Sequence, residues 1–244
     1  MDTDIKTIRK GSQYWRDLFY NIKTDIYLEA GFDKQLYYKG DISALLDQER
    51  PKILITGTRS AYEKEHLATI DRMICELSQN HYRPVIVTGI ACGVETYTVK
   101  SALKYGLAVI VLSACSLEEI YPSANTELAA KVVSSPECAL LSCFPEGTAA
   151  IALNFLIKHR LASAISDCMV VPYSKNKGGS IVAANLMYEL DKLVYAFPGR
   201  IGDEVSQGCN ALISTGKARI LYSYDQLKSI YVMRKSNEYV NPLC

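Results

Sequence analysis

The chain has 244 residues, 49% of them hydrophobic and 22% charged, and its 27 basic and 26 acidic residues leave a net charge of +1. This length suits one large α/β domain or a domain with a small appendage. No apolar run approaches the roughly 18 residues needed to span a bilayer, and the near-zero net charge excludes a nonspecific basic coat, so a polyanionic partner must bind a local patch.

The N-terminal sequence MDTDIKTIRK lacks the basic and then apolar pattern of a secretory signal. We therefore expect a cytoplasmic protein that does not contact membranes. Residues 1–50 are rich in aromatic and charged side chains, with weak helical periodicity around residues 15–26. The composition changes after Pro51, which predicts an N-terminal helical and aromatic appendage over 1–50, a core over 51–222, and a C-terminal helix and tail over 223–244.

The core begins with a buried strand at residues 53–55, followed by the loop sequence GTRS at 57–60. Ser60 and Glu63 have the spacing of a capping box, in which each side chain bonds the other residue's backbone N–H at a helix start. Apolar residues then recur on one helical face as far as Leu77. The pattern predicts a helix of about 18 residues that begins near Ser60.

The most informative stretch is 84–103, where a β-branched apolar run ends abruptly in Thr88, Gly89, Ala91 and Gly93. This predicts a strand, a tight loop and a helix. Small residues allow main-chain N–H groups to surround an anion, and a helix start adds unpaired donors and partial positive charge. The Gly-x-Ala-x-Gly spacing is neither the dinucleotide fingerprint nor the P-loop, so it leaves open both a phosphate-binding loop and an ordinary connection.

The remaining strands and helices are predicted to alternate along the chain. Strands are expected at 107–112, 138–143, 168–171 and 193–197, and helices near 93–105, 123–134, 150–165 and 180–191. The apolar runs are continuous, which is typical of strands buried on both faces. The alternation predicts an α/β fold with a doubly wound, mostly parallel Rossmann-like sheet, whose ligands bind beyond the carboxyl ends of the strands.

Several site classes are not supported by any motif. A nicotinamide enzyme needs a glycine fingerprint after the first strand and an acid ending the second, whereas this chain has GTRS and Thr88 there. The 8 cysteines never form CxxC, and the 3 histidines lack partners at ligand spacing. We therefore expect reduced, mostly buried thiols, no metal, no cofactor and no catalysis.

Six loop segments, taken in order, carry a resemblance to a known family. They are GTRS at 57–60, TGIACG at 88–93, SLEEIYPSAN at 116–125, FLIKHRLASAIS at 155–166, KGGSIVAA at 177–184 and GCNALISTGKA at 208–218. In this order they resemble the DNA-processing protein A (DprA/Smf) family over residues 51–220. LYYKGD at 36–41 matches the segment that precedes the family's core.

The resemblance implies a Rossmann-like core that binds single-stranded DNA, protects incoming strands, forms a homodimer and helps load a RecA-type recombinase in natural transformation. Many family members carry a longer helical domain before the core and a winged helix after it. The chain has about 50 residues before and about 25 after the core. Its apolar tail, from Ile220 to Val232, also favours a homodimer.

Carried over by position, the resemblance implies a set of DNA- and phosphate-binding residues. They are Arg59, Thr88, Gly89, Ala91, Gly93, Phe155, Lys158, Arg160, Lys177, Gly179, Ser180 and Asn210. Phe155 is expected to stack on a base, unless it is simply a core residue, and Arg59 to contact phosphate, unless it is only a surface charge at a helix start. Residues 158–160 fan over about 200° of a helix, so one of the three should face elsewhere.

Two alternative functions would use the same loops. KGGS at 177–180 faintly resembles the PGGxGTxxE motif of the lysine-decarboxylase-like (LOG) phosphoribohydrolases, but Ala183 stands where the catalytic glutamate would be, and the next acid is Glu189. A nucleotide-sensing module would bind a free nucleotide in these loops and signal to a partner. The sequence barely separates this second alternative from DNA binding.

Overall fold

The computed structural model of the chain describes residues 4–19 and 35–228, and the strands found there form one nine-stranded sheet. In chain order they are β1 (Lys6–Arg9), β2 (Gln35–Gly40), β3 (Lys52–Ile55), β4 (Val85–Thr88), β5 (Val109–Leu112), β6 (Ala139–Ser142), β7 (Cys168–Val171), β8 (Leu193–Ala196) and β9 (Arg219–Ile220). Across the sheet the order is β1-β2-β6-β5-β4-β3-β7-β8-β9.

The sheet is mostly parallel, which confirms the predicted α/β class. Strands β3 to β9 run parallel, whereas β2 pairs antiparallel with both β6 and β1. The segment expected as an appendage thus contributes two strands to the same sheet, and Ile8 and Leu36 from these strands are buried in the core. Neither strand was predicted, because β1 has only four residues and lies at the sheet edge, and β2, between β1 and β6, mixes polar and apolar side chains.

Helices cover both faces of the sheet. Those of the described residues are α1 (Gln13–Leu18), α2 (Ser43–Leu46), α3 (Lys64–Ser78), α4 (Val94–Lys104), α5 (Thr126–Ser134), α6 (Ala152–Ile165), α7 (Gly179–Glu189), α8 (Gln207–Ser214) and α9 (Asp225–Lys228). A short 3-10 turn at Ser123–Asn125 precedes α5. Helices α1, α2, α6, α7 and α8 contribute to the hydrophobic cluster on one face, and α3, α4 and α5 to the cluster on the other.

The continuous apolar runs are explained by this two-sided burial. In β3, Leu54 belongs to the cluster on one face, whereas Ile53 and Ile55 belong to the cluster on the other. All three side chains are at most 2% exposed. Successive residues of a strand point to opposite faces, so a strand covered on both faces needs apolar residues at every position.

The predicted start of α3 is wrong. The helix begins at Lys64, and its N-cap residue, Glu63, makes no side-chain cap bond. The Ser60 N–H donates instead to the Thr58 hydroxyl at 3.2 Å, and Ala61 is fully buried. Residues 59–62 therefore form a loop that is anchored by Ala61, while Arg59 and Tyr62 are exposed, and the expected capping box does not form.

The carboxyl end of α6 is held by a lysine from outside the helix. The Lys192 ammonium donates to the main-chain carbonyls of Ser163, Ala164 and Ser166 at 2.8, 2.7 and 2.7 Å. The last carbonyls of a helix lack partners within it, and a cation there also interacts favourably with the helix dipole. Lys192 thus fixes one end of α6.

Candidate functional site

A cleft of about 370 Å³ opens beyond the carboxyl ends of β3 and β7. β3 pairs with β4 on one side and with β7 on the other, so chain connections run in opposite directions from this point. In doubly wound sheets, this reversal of strand order creates the crevice where ligands bind. The cleft is lined by residues 56–60, by Ala91 and Glu95, by one face of α6, and by Lys175 and residues 177–180 at the start of α7.

One part of the cleft is an aromatic ring beneath a cation. Phe155 on α6 is half-buried and lines the cleft, so it is not a core residue. The Arg59 guanidinium carbon lies 5.4 Å from the centre of its ring, and the Lys158 ammonium lies 5.7 Å from it. Arg59 itself is exposed. A planar apolar surface next to an exposed cation suits a ligand that has both a ring and a negative charge.

A buried carboxylate, Glu95, forms the floor of the cleft. Its Oε2 accepts the Ala91 N–H at 2.9 Å, and its Oε1 accepts the Thr56 hydroxyl at 2.8 Å. The Lys158 ammonium lies 3.4 Å from the same Oε1, and both side chains are about 95% buried. Burial by itself would raise the pKa of Glu95, but Lys158 and the hydrogen-bond donors together hold it below its usual value. Glu95 is therefore ionised.

The glycines of the 88–93 loop are required by packing. A Cβ at Gly89 would lie 2.2 Å from the Glu95 Oε2, and one at Gly93, whose φ is +75°, would lie 2.4 Å from the Thr58 carbonyl oxygen. Thr88 is fully buried and donates to the Ile55 carbonyl at 2.7 Å. Thr88, Gly89 and Gly93 are not among the residues that line the cleft, and their nearest neighbours belong to the protein itself. Their contact with a phosphate therefore stays a prediction.

Within residues 158–160 the three side chains have different environments. Lys158 lines the cleft but is paired with Glu95, so it is not an open cation. His159 is buried at the cleft wall, and its Nε2 lies 2.5 Å from where a Cβ of Gly179 would be. Arg160 is not among the residues that line the cleft. This agrees with the expectation that three consecutive residues of a helix cannot all face one ligand.

The start of α7 also lines the cleft. Lys177 and Gly179 are exposed and line the cleft, and the Ser180 hydroxyl is 2.8 Å from that of Ser174. Neighbouring Lys175 pairs with Glu204 at 2.8 Å. Arg59 and Lys177 therefore present positive charge from two different segments of the lining, and the first N–H groups of α7 lack partners within the helix.

Asn210 does not reach the cleft. Its Oδ1 accepts the Gly199 N–H at 3.0 Å and its Nδ2 donates to the Gly199 carbonyl at 3.1 Å. The residue thus holds the loop after β8 against α8. Its expected contact with DNA is not supported by its position, and its two bonds give it a structural role.

Sequence reasoning gave too little weight to Glu95 and His159. The loop resemblance does not single out Glu95, and it treats His159 only as one of residues 158–160. The available signal was position: an acid in the first turn of a helix, next to a glycine loop, can accept the N–H groups that loop leaves open.

The buried His159 should make stability depend on pH. Burial, aided by the Lys158 charge and opposed by Glu95, lowers the pKa of His159 from 6.5 to about 3. Between these two values the unfolded chain binds a proton that the folded chain does not, so stability falls as the pH falls, by at most about 1.4 kcal/mol per pH unit. Urea unfolding at pH 7, 6 and 5 measures this slope.

In His159→Gln, stability should fall less between pH 7 and pH 5. The variant lacks the buried histidine, and most carboxylates stay ionised in this range. His81→Gln, at an exposed histidine, is the matched control and should keep it. An equal slope in the wild type and in His159→Gln would contradict the assignment.

Two further features bear on the kind of site. Within the described ranges no helix has the length and apolarity needed to cross a membrane, and no cluster of three or more His, Cys, Asp or Glu side chains could hold a metal ion. Five of the seven cysteines there are buried, Cys75 is half-buried and Cys92 is exposed. All seven are free thiols.

The fold and the cleft define a Rossmann-like α/β protein with a ligand crevice at the reversal of strand order. The family model for DNA recombination-mediator protein A matches residues 28–231. The chain belongs to this family, which confirms the resemblance found in the loop segments.

Individual relatives agree with this assignment. The chain is 28% identical over 192 residues to the DNA processing protein DprA of Streptococcus pneumoniae, covering 79% of this chain and 65% of that protein. It is 31% identical over 194 residues to DprA of Bacillus subtilis, covering 79% and 62%. The chain thus spans slightly less than two thirds of the length of these curated relatives.

A solved structure gives the same fold. It concerns the single-stranded DNA binding mode of DNA processing protein A from Helicobacter pylori. It superposes with a TM-score of 0.76 at 26% identity, covering 94% of this chain and 96% of that one.

Proposed function

We propose that this protein binds single-stranded DNA in the cleft between β3 and β7, without sequence preference and without catalysis. The observation that carries the proposal is the half-buried Phe155 ring beneath the exposed Arg59 guanidinium. Single-strand binding proteins combine cations that hold phosphates with aromatic rings that stack on bases, and every base has a π-face. This pair supplies both contacts within one cleft.

The positions of the cations favour a strand over a free nucleotide. Arg59, which follows β3, and Lys177, just before α7, both line the cleft, so two separate cations are available to successive phosphates of a chain that crosses it. The name of the solved Helicobacter pylori relative, which refers to single-stranded DNA binding, supports the same ligand. The phosphoribohydrolase alternative is not favoured, since Ala183 of α7 is buried where that chemistry needs a glutamate.

The wider role proposed here follows the family. The protein would act in the cytoplasm as a homodimer, protect incoming single strands in natural transformation, and help load a RecA-type recombinase. The exposed Ile220 and Tyr222 near the end of the sheet support a dimer surface. The rest of the expected apolar tail, from residue 229 onwards, lies outside the described residues. The domain division at residues 50 and 222 likewise stays a proposal.

The experiment that tests the proposal compares a single strand with a duplex and with a mononucleotide. Fluorescence anisotropy with an oligothymidine, an equal-length duplex and thymidine monophosphate should show the tightest binding to the oligothymidine. The duplex should bind weakly, because its bases are stacked on one another and unavailable to Phe155. Tight binding of the mononucleotide alone would overturn the DNA proposal and favour a nucleotide sensor.

Arg59→Ala should flatten the salt dependence of binding. The logarithm of the affinity for single strands falls with the logarithm of salt concentration by about 0.7 per phosphate neutralised, so removing one contact should reduce the slope by roughly that amount. Affinity for all sequences should weaken about equally. Titrations at several salt concentrations measure the slope.

Arg72→Ala, at an exposed arginine on α3 outside the cleft lining, is the matched control and should leave the slope unchanged. A wild-type slope in Arg59→Ala would mean that Arg59 contacts no phosphate.

A further inference from the structure

The YPSAN segment at 121–125 has a position that the proposed cleft does not yet use. Tyr121 lies next to Phe155, with the ring centres 6.1 Å apart and the planes at 73°. This is an edge-to-face arrangement. Unlike Phe155, Tyr121 is 52% exposed, so a large aromatic surface continues outward from the cleft.

Tyr121 is held in place without being buried. Four residues further on, Asn125 is buried, and its Nδ2 donates to the Ile90 carbonyl at 2.6 Å and lies 2.9 Å from the Thr96 hydroxyl. These bonds attach the segment to the 88–93 loop and to α4. An exposed aromatic side chain on an anchored segment loses little conformational freedom when it binds a ligand.

The charges around Tyr121 favour contact with a base over contact with a phosphate. Glu118 and Glu119, which precede it, are exposed acids. They would repel a phosphate, whereas stacking on a neutral base is unaffected. Beside the Phe155 ring, which lies near two cations, Tyr121 therefore provides a second ring whose preceding residues carry negative charge.

We propose that Tyr121 is a second base-stacking surface, which receives the nucleobase next to the one on Phe155. This inference rests on the proposed single-strand function, and adds to it the direction in which the strand leaves the cleft. From Phe155 the strand passes over the YPSAN segment. Because stacking is tolerant of base identity, the second surface extends the footprint without adding sequence preference.

The test compares Tyr121→Ala with Tyr188→Ala, a tyrosine of nearly equal exposure (53%) near the carboxyl end of α7. For a ten-residue oligothymidine, Tyr121→Ala should weaken binding at least about fivefold with an unchanged salt slope. Tyr188→Ala should bind like the wild type, and Tyr121→Phe should keep most of the affinity. For thymidine monophosphate, Tyr121→Ala should match the wild type, because the single base occupies Phe155.

A tryptophan at the site gives an independent measurement. The single natural tryptophan, Trp15, is buried, so oligothymidine should quench fluorescence in Tyr121→Trp and leave the wild type nearly unchanged. Wild-type affinity in Tyr121→Ala, with no quenching in Tyr121→Trp, would overturn the second surface even if Phe155→Ala binds weakly. Equal weakening for the mononucleotide would also overturn it, since Tyr121 would then only support Phe155. If the wild type fails to bind oligothymidine, the proposed function itself fails.

Discussion

Glu95→Ala is expected to lower the free energy of unfolding by about 3 to 5 kcal/mol. The substitution leaves the Lys158 ammonium about 95% buried without its partner, and removing one member of a buried ion pair has a cost of that size. It also removes the acceptor of the Ala91 N–H and the Thr56 hydroxyl. Urea unfolding at pH 7 measures the loss.

The double variant Glu95→Gln, Lys158→Met is the matched control. It removes both charges while keeping similar volume, so no buried charge is left without a partner. We therefore expect it to be more stable than Glu95→Ala. A loss of less than about 1 kcal/mol in Glu95→Ala would contradict the ion pair as an important element of the cleft floor.

Phe155→Ala is expected to weaken the binding of oligothymidine by about tenfold or more at every salt concentration. Base stacking on an aromatic side chain contributes roughly 1 to 3 kcal/mol per base, and it releases no counterions, so the salt slope should not change. The half-buried ring lines the cleft, so the loss of stability should be smaller than the 3 to 5 kcal/mol typical of a core phenylalanine.

Phe155→Leu separates stacking from apolar bulk. It keeps a side chain of comparable size at the cleft wall but has no ring, so it should bind nearly as weakly as Phe155→Ala while remaining as stable as the wild type. Circular dichroism checks the folding of both. If both variants fold and bind oligothymidine like the wild type, the stacking role of Phe155 is wrong.

Most of the parallel sheet could be predicted from the sequence because its strands are buried on both faces. A continuous apolar run such as 168–171 admits few other interpretations, and β7 has those bounds. The two N-terminal strands were missed for the opposite reason. Gln35–Gly40 mixes Gln, Tyr and Lys with a single fully buried leucine, so its pairing with β6 depends on a contact about 100 residues away along the chain.

The sequence indicated which loops and helices form the candidate site, but not which side chains contact one another there. The loop segments that form the cleft follow from the rule that ligands bind beyond the carboxyl ends of parallel strands. Which anion occupies the 88–93 loop depends on the side-chain conformation of Glu95, and a phosphate and an internal carboxylate require the same small residues. The commitment of Lys158 to Glu95 could not be predicted either, because their 63-residue separation conceals the pair.

The lysine that caps α6 has a consequence for how the cleft meets its ligand. Lys192 fixes the carboxyl end of the helix, and the Glu95–Lys158 pair fixes its middle, one turn from Phe155. The Phe155 ring therefore lies on a rigid helix and has its binding orientation before any DNA strand binds. In such a preorganised site, little binding free energy is lost to ordering the protein. Differences in affinity among ligands should therefore come mainly from their dissociation rates.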